Sequence, residues 1–130
     1  MLVLDASVVL QACLVDEGFE RFGDPDQVAP PFMWAEVRSA LHEAVWRGEL
    51  APSVGAAAAT RLDAGPVSAR SPARVGESAW RIADELGWAK TYDAEYVATA
   101  SLLDCRLVTA DKRLLRSTAH LGRVVSLAEL

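Results

Sequence analysis

The chain opens on Leu2-Val3-Leu4 and breaks at once on Asp5. An apolar run this short reads as a strand and not as a buried helix. An acid directly behind it belongs at a polar edge. The arrangement returns near the other end, where Arg106-Leu107-Val108-Thr109 reads as a strand and Asp111 follows it. Gln27-Val28-Ala29, stopped by Pro30-Pro31, then Pro66-Val67-Ser68 and Arg123-Val124-Val125 read as further short strands. Segments of helical period lie between them. Strands that alternate with helices pair in parallel, with helices covering both faces of a small sheet. The expected architecture is an α/β three-layer sandwich.

The helices follow from period and punctuation. Val8 to Val15 enters behind the Asp5-Ala6-Ser7 turn. Phe32 to Arg47 carries Trp34, Val37, Leu41, Ala44 and Val45 on one stripe and closes at Gly48. Pro52 to Ala64 is Ala-rich and closes at Gly65-Pro66. Pro72 to Leu86 places Val75, Ala79, Ile82 and Leu86 inward, with Gly87 as its stop. Tyr92 to Asp104 is apolar almost all round after its first turn, so it is expected at the centre of the fold. Asp111 to Arg116 reads as one more short helix.

A length of 130 residues fits one domain over 1–130. Hydrophobic residues make up 52% and charged residues 24%, which excludes a disordered tail or a collagen-like rod. No apolar run approaches bilayer length, and the first residues carry no basic segment of the signal-peptide kind. Cys13 and Cys105 make neither a disulfide framework nor a zinc set. A reduced cytoplasmic protein with no membrane partner is the expectation. Net charge is −5, from 18 acids against 13 bases. A sequence-independent DNA binder is usually basic, which this chain is not. Nucleic acid stays open as a substrate, because a cation held by acids can bring phosphate in.

Asp5, Glu36, Asp93 and Asp111 stand apart from the other acids. Asp5 and Asp111 follow strands, Glu36 lies in the first turns of a helix, and Asp93 opens the most buried helix. Each has an ordinary reading as a cap, a dipole partner or a half-exposed helix carboxylate. In a parallel sheet, however, strand C-termini and the helix N-termini after them share the edge where ligands bind. Carboxylates gathered there repel one another and raise each other's pKa. A hard divalent cation such as Mg²⁺ or Mn²⁺ removes that penalty. The chemistry so implied is metal-assisted attack of water on a phosphodiester.

Four stretches resemble the PIN-domain proteins, and more narrowly the VapC ribonuclease toxins of bacterial toxin–antitoxin pairs. They are Leu2-Val3-Leu4-Asp5-Ala6-Ser7, the segment Ala29 to Val37 around Glu36, the segment Thr91 to Ala100 around Asp93, and the segment Leu107 to Leu114 around Asp111. The likeness spans essentially the whole chain, and the last two stretches together are its specific part. It implies a PIN-like sandwich and an Mg²⁺- or Mn²⁺-dependent endoribonuclease acting on RNA. It also implies a homodimer and a cognate VapB-like antitoxin whose peptide lies across the acidic groove. Carried over by position, the catalytic and metal-binding set is Asp5, Glu36, Asp93 and Asp111, with Ser7 and Thr109 orienting the acids or the phosphate. Ser39 stands where family members often carry Asn shortly after the second acid, which weakens outer support for the site without removing a ligand. Glu95, two residues past Asp93 on a helix, points elsewhere.

Arg74, Lys90, Lys112 and Arg113 are candidate RNA contacts, with Arg70 and Arg81 on the same basic approach; a solvated basic face is the plainer account of them. His42 and His120 lie in no recognisable constellation. Trp34, Trp46, Trp80 and Trp88 are expected as core or interface anchors, Trp88 being the one placed in a loop where a base can stack. A phosphoacceptor receiver domain needs an acidic pair after its first strand, but Ala6 follows Asp5. An Asp-x-Asp phosphatase fails because Ser7 takes the second position. The remaining alternative is a catalytically silent PIN-like module that binds RNA or protein.

Overall fold

Strand β1 (Leu2–Leu4) is buried along its whole length, as a short apolar run must be when helices cover both faces of a parallel sheet. It pairs in parallel with β2 (Gln27–Ala29) on one side and β4 (Arg106–Val108) on the other. Strand β3 (Ser68–Ala69) extends the sheet beyond β2, and β5 (Val124–Val125) extends it beyond β4, both in parallel. The five-stranded order is β3-β2-β1-β4-β5. These features come from a computed structural model that describes residues 1–130.

The helices are α1 (Ala6–Cys13), α2 (Met33–Trp46), α3 (Pro52–Ala64), α4 (Val75–Leu86), α5 (Tyr92–Leu102) and α6 (Lys112–Ser117). Helix α1 packs with α2 and α3, while α4 pairs with α5, which lies on β1 and β4. This is the expected α/β sandwich. One core joins Val3, Leu4, Val28, Leu107 and Val108 of the sheet to Val9, Met33, Val37, Leu41, Tyr96 and Val97 of the helices. Each such side chain contributes roughly 1.5–3 kcal/mol by leaving water. Between α4 and α5 the seam is made of methyl groups, from Ala79, Ala83, Ala94 and Ala98. No helix is long and apolar enough to cross a membrane.

Two close approaches fix the helical layers. A Cβ on Gly55 would collide with Cγ2 of Val45, so glycine is what lets α3 lie against α2. Arg61 of α3 donates to the carbonyl of Cys13 at 3.0 Å and to Oδ1 of Asp16 at 2.7 Å, closing the end of α1. Gly87 ends α4 in the left-handed conformation at φ 69°, the stop its sequence position suggests.

Boundaries differ from the sequence reading where local hydrogen bonds decide them. Helix α1 begins at Ala6 and not Val8, because the Asp5 carbonyl accepts from the amides of both Val8 and Val9. Helix α4 begins at Val75 and not Pro72, because Arg74 is left-handed at φ 68° and cannot extend a helix. Short 3-10 segments at Gly18–Phe22, Ala119–Leu121 and Leu127–Glu129 went unseen, since fewer than two turns carry no period.

Candidate active site

In an open parallel sheet the ligand crevice forms at the C-terminal strand ends where the order reverses. The chain leaves β1 for β2 on one side and comes back to β4 on the other, so the reversal lies between β1 and β4. Leu4 pairs with Val108, and the residues that follow them, Asp5 and Thr109, therefore leave the sheet side by side. The Asp5 amide donates to the Val108 carbonyl at 3.0 Å.

Asp5 is only 6% exposed, and a buried carboxylate is costly unless donors reach it. Its Oδ2 accepts from Ser7 Oγ at 2.8 Å and from Thr109 Oγ1 at 2.6 Å. A hydroxyl has one proton to give, so both protons are committed to Asp5 and both hydroxyl oxygens are left to accept. Ser7 Oγ accepts from the Ala110 amide and Thr109 Oγ1 from the Asp111 amide, each at 3.0 Å. The 3.4 Å separation of the two hydroxyl oxygens is then a contact without a proton between them. Asp5 Oδ1 takes no hydrogen bond from the protein and is not sealed from solvent.

Asp111 caps α6: its Oδ1 accepts from the amides of Arg113 at 2.8 Å and Leu114 at 3.2 Å. The capping role expected of an acid at that position is therefore present, and Oδ2 is left over. Glu36 lies in the first turn of α2, its amide bonded to the Phe32 carbonyl. The fully buried Tyr96 of α5 donates its hydroxyl to Glu36 Oε1 at 3.3 Å. Burial and then the charges of Asp5 and Asp93 push the Glu36 carboxyl up to about 6, against the opposing pull of the Tyr96 hydrogen bond. Asp93, in the first turn of α5, is raised by burial, by Asp5 and by Asp111, with Arg113 opposing. The fold thus brings Asp5 and Asp93 within range of Glu36, and Asp5 and Asp111 within range of Asp93, from four separate stretches of sequence. Glu95 is not among the charges acting on Asp93.

The donors in this group are carboxylate oxygens, which suit Mg²⁺ or Mn²⁺. No three acidic, histidine or cysteine side chains stand close enough to enclose an ion by themselves. Mg²⁺ is commonly held by one or two carboxylates and several waters, so an open set with a free Asp5 oxygen and mutual repulsion to relieve fits such a cation.

Beside the acids, Trp88, Lys90, Tyr92, Asp93 and Arg113 line a cleft of about 500 Å³. Two of the expected RNA contacts, Lys90 and Arg113, are therefore brought to the acidic edge, and neither is in an ion pair. Lys112 is exposed at the start of α6, next to Asp111. Arg74 is not gathered with them, since the twelve residues of α4 separate it from Gly87 and Trp88, about 18 Å of helix. Arg81 is paired with Glu85 at 3.9 Å on the exposed side of α4.

The expectation for the tryptophans holds in part. Trp34 and Trp88 pack against the core, but Trp46 and Trp80 are 80% and 68% exposed and are not core residues. Aromatic identity alone cannot say which face of a helix is covered. His42 and His120 are exposed, and Cys13 and Cys105 are free thiols. Tyr96 is the residue the sequence reading missed. It stood out only as part of an apolar helix, and its partner Glu36 is 60 positions away.

The model of the PIN domain family matches residues 2–121. Ribonuclease VapC9 of Mycobacterium tuberculosis is 33% identical over 115 residues, 88% of either chain. The VapC ribonuclease Mb0985 of Mycobacterium bovis matches to the same extent. The crystal structure of PAE2754 from Pyrobaculum aerophilum superposes with a TM-score of 0.77, covering 98% of this chain and 90% of that one. At 18% identity that likeness speaks to the fold alone.

Proposed function

This chain belongs to the PIN domain family and to its VapC branch, and on that footing we propose that it is a metal-dependent endoribonuclease toxin whose catalytic and cation-binding residues are Asp5, Glu36, Asp93 and Asp111. The observation that carries the assignment is the gathering of these acids at the β1/β4 reversal, with Asp5 held there by two hydroxyls from different elements. Mg²⁺ or Mn²⁺ is the cation this donor set favours. Such a cation supplies positive charge to a phosphodiester and eases deprotonation of the attacking water.

The chain's own groups have distinct parts in this reading. Ser7 and Thr109 fix the rotamer of Asp5 and, through the Ala110 and Asp111 amides, the loop that carries the fourth acid. Asp5 Oδ1 is the oxygen left free to face a cation. Glu36, held by the Tyr96 hydroxyl through Oε1, offers its carboxylate to the cation from α2, and the cation would relieve the crowding that raises this carboxyl in the chain alone. Asp111 keeps Oδ2 available while Oδ1 holds α6. Lys90 and Arg113, free of ion pairs on the near side of Asp93, take backbone phosphates. A cytoplasmic location, a VapB-like antitoxin and a homodimer complete the reading, with the exposed Trp46 of α2 and Val54 of α3 as apolar surface for association.

The test is cleavage of a mixed RNA pool by purified protein with Mg²⁺, with Mn²⁺ and with chelator, alongside Asp93→Asn to control for contaminating ribonuclease. Metal-dependent cutting by the wild type and none by the variant is the expected result. Equal cutting by both would mean a contaminating ribonuclease or a site without Asp93. No cutting by protein shown to be free of antitoxin and able to bind metal would favour the silent binding module.

A further inference from the structure

Tyr92 is 60% exposed and stands at the mouth of the candidate active site, beside Asp93. Its position is fixed from behind. The Phe32 ring meets it edge-on with centroids 5.6 Å apart, and Phe32 meets the buried Tyr96 in the same manner at 5.2 Å. Tyr96 in turn bonds Glu36, so a ladder of rings runs from the acid group to the surface and ends on Tyr92.

Tyr92 is also the wall between two clefts of opposite character. On one side lies the cleft with Lys90, Asp93 and Arg113, backed by Trp88. On the other lies a cleft with Glu36 and Glu43 and no cation. The side chains that can hold a backbone phosphate, Lys90 and Arg113, therefore stand on one side of the ring, and the other side leads to Glu36 of the acid group. Trp88, although in a loop, packs against the core and forms the back of the cleft. The open ring at this point is Tyr92.

We propose that Tyr92 is a stacking platform for one unpaired nucleobase, with the adjoining backbone phosphate held by Lys90 and Arg113. This rests on the ribonuclease reading and assigns a residue to its recognition of RNA: a base that stacks on a side chain must be free of its duplex partner. A ring met edge-on by Phe32 loses little freedom when a base lands on it, and base–aromatic stacking tolerates any sequence. The platform therefore selects for single strands and not for one base.

The experiment uses the full chain, a single-stranded oligoribonucleotide and the same sequence in perfect duplex. Binding is read by fluorescence anisotropy in an Asp5→Asn background, and KM and kcat by cleavage in the otherwise wild-type protein. Tyr92→Ala is expected to weaken single-strand binding and raise KM by about 5- to 100-fold. Tyr92→Phe, which keeps the ring, should change them by less than about twofold, and the weak duplex binding should not move. Tyr92→Leu, which keeps apolar contact with Phe32 but not the flat face, carries the test should the alanine variant unfold. Unchanged binding in the alanine or leucine variant, an equal loss on duplex, or an equal loss in the phenylalanine variant would overturn the platform. So would a parent protein that binds no single strand. The two readings fail separately. Tyr92-dependent binding with no cutting by the wild type removes the nuclease and keeps the platform, whereas cutting with KM indifferent to Tyr92 does the reverse.

Discussion

Thr109 donates its hydroxyl to Asp5 Oδ2 at 2.6 Å across 104 positions of sequence. The bond ties the end of β1 to the end of β4, and Ser7 repeats the tie from the first turn of α1. Thr109→Val keeps the shape and removes the donor. It also strands the Asp111 amide, which loses its acceptor. The expected cost is about 1–3 kcal/mol of stability, read as a lower urea midpoint. Cleavage should fall by roughly 10- to 100-fold, the usual price of losing an outer partner of a metal ligand. A variant with unaltered midpoint and rate would show that the hydroxyl does not hold Asp5.

Removing a repelling charge should separate stability from activity. Glu36→Gln is expected to abolish cleavage yet raise the stability of the metal-free protein. The raised carboxyl corresponds to strain, discounted for solvent to about 1 kcal/mol because Glu36 is exposed. Chemical denaturation in chelator measures it, and a destabilised variant would argue that Glu36 is instead a structural partner of Tyr96.

The same shift fixes the sign of a pH dependence. The folded Glu36 carboxyl titrates near 6 against an ordinary 4.5, so the folded chain holds this proton more tightly than the unfolded one. Stability in chelator should therefore fall as pH rises from about 4.5 to 6 and level off above that. Asp93, also raised, adds to the fall. Glu36→Gln should flatten the slope; a slope of the opposite sign would contradict the crowding of acids.

A divalent ion should reverse that strain. Adding Mn²⁺ to the chelated wild type is expected to raise its melting temperature, by about 2.7 kcal/mol of added stability at a hundred times the dissociation constant. Asp5→Asn and Asp93→Asn should lose most of the gain. An equal rise in all three proteins would mean that the ion binds elsewhere.

Packing makes its own test far from the acids. Gly55→Ala drives a methyl into Cγ2 of Val45, a β-branched side chain with little freedom to move. We expect a loss of about 1–3 kcal/mol by thermal or urea unfolding. Val45→Ala in the same molecule should restore part of it.

Much of this was legible in the amino-acid order. Short apolar runs ended by Asp5 and by Thr109 marked the central strands, and Pro52 and Gly87 marked a helix start and a helix end that the fold respects. Those signals are local. The start of α1 was not legible, because it depends on which amides the Asp5 carbonyl accepts. Nor was the exposure of Trp46 and Trp80, which depends on what covers each helix. The acids could be named as a set through family resemblance, but the Tyr96–Glu36 bond could not. It joins two helices through side chains whose sequence neighbours give no hint of each other.

The methyl seam between α4 and α5 has a consequence for how such proteins diverge. Trp88 follows α4, while Tyr92 and Asp93 open α5, so the gap between the cleft's walls is set where Ala79, Ala83, Ala94 and Ala98 meet. Exchanging any of these methyls for a bulkier group would pry the walls apart without touching a charge or a ring. Substrate preference in a lineage can then drift through buried positions that meet no substrate at all.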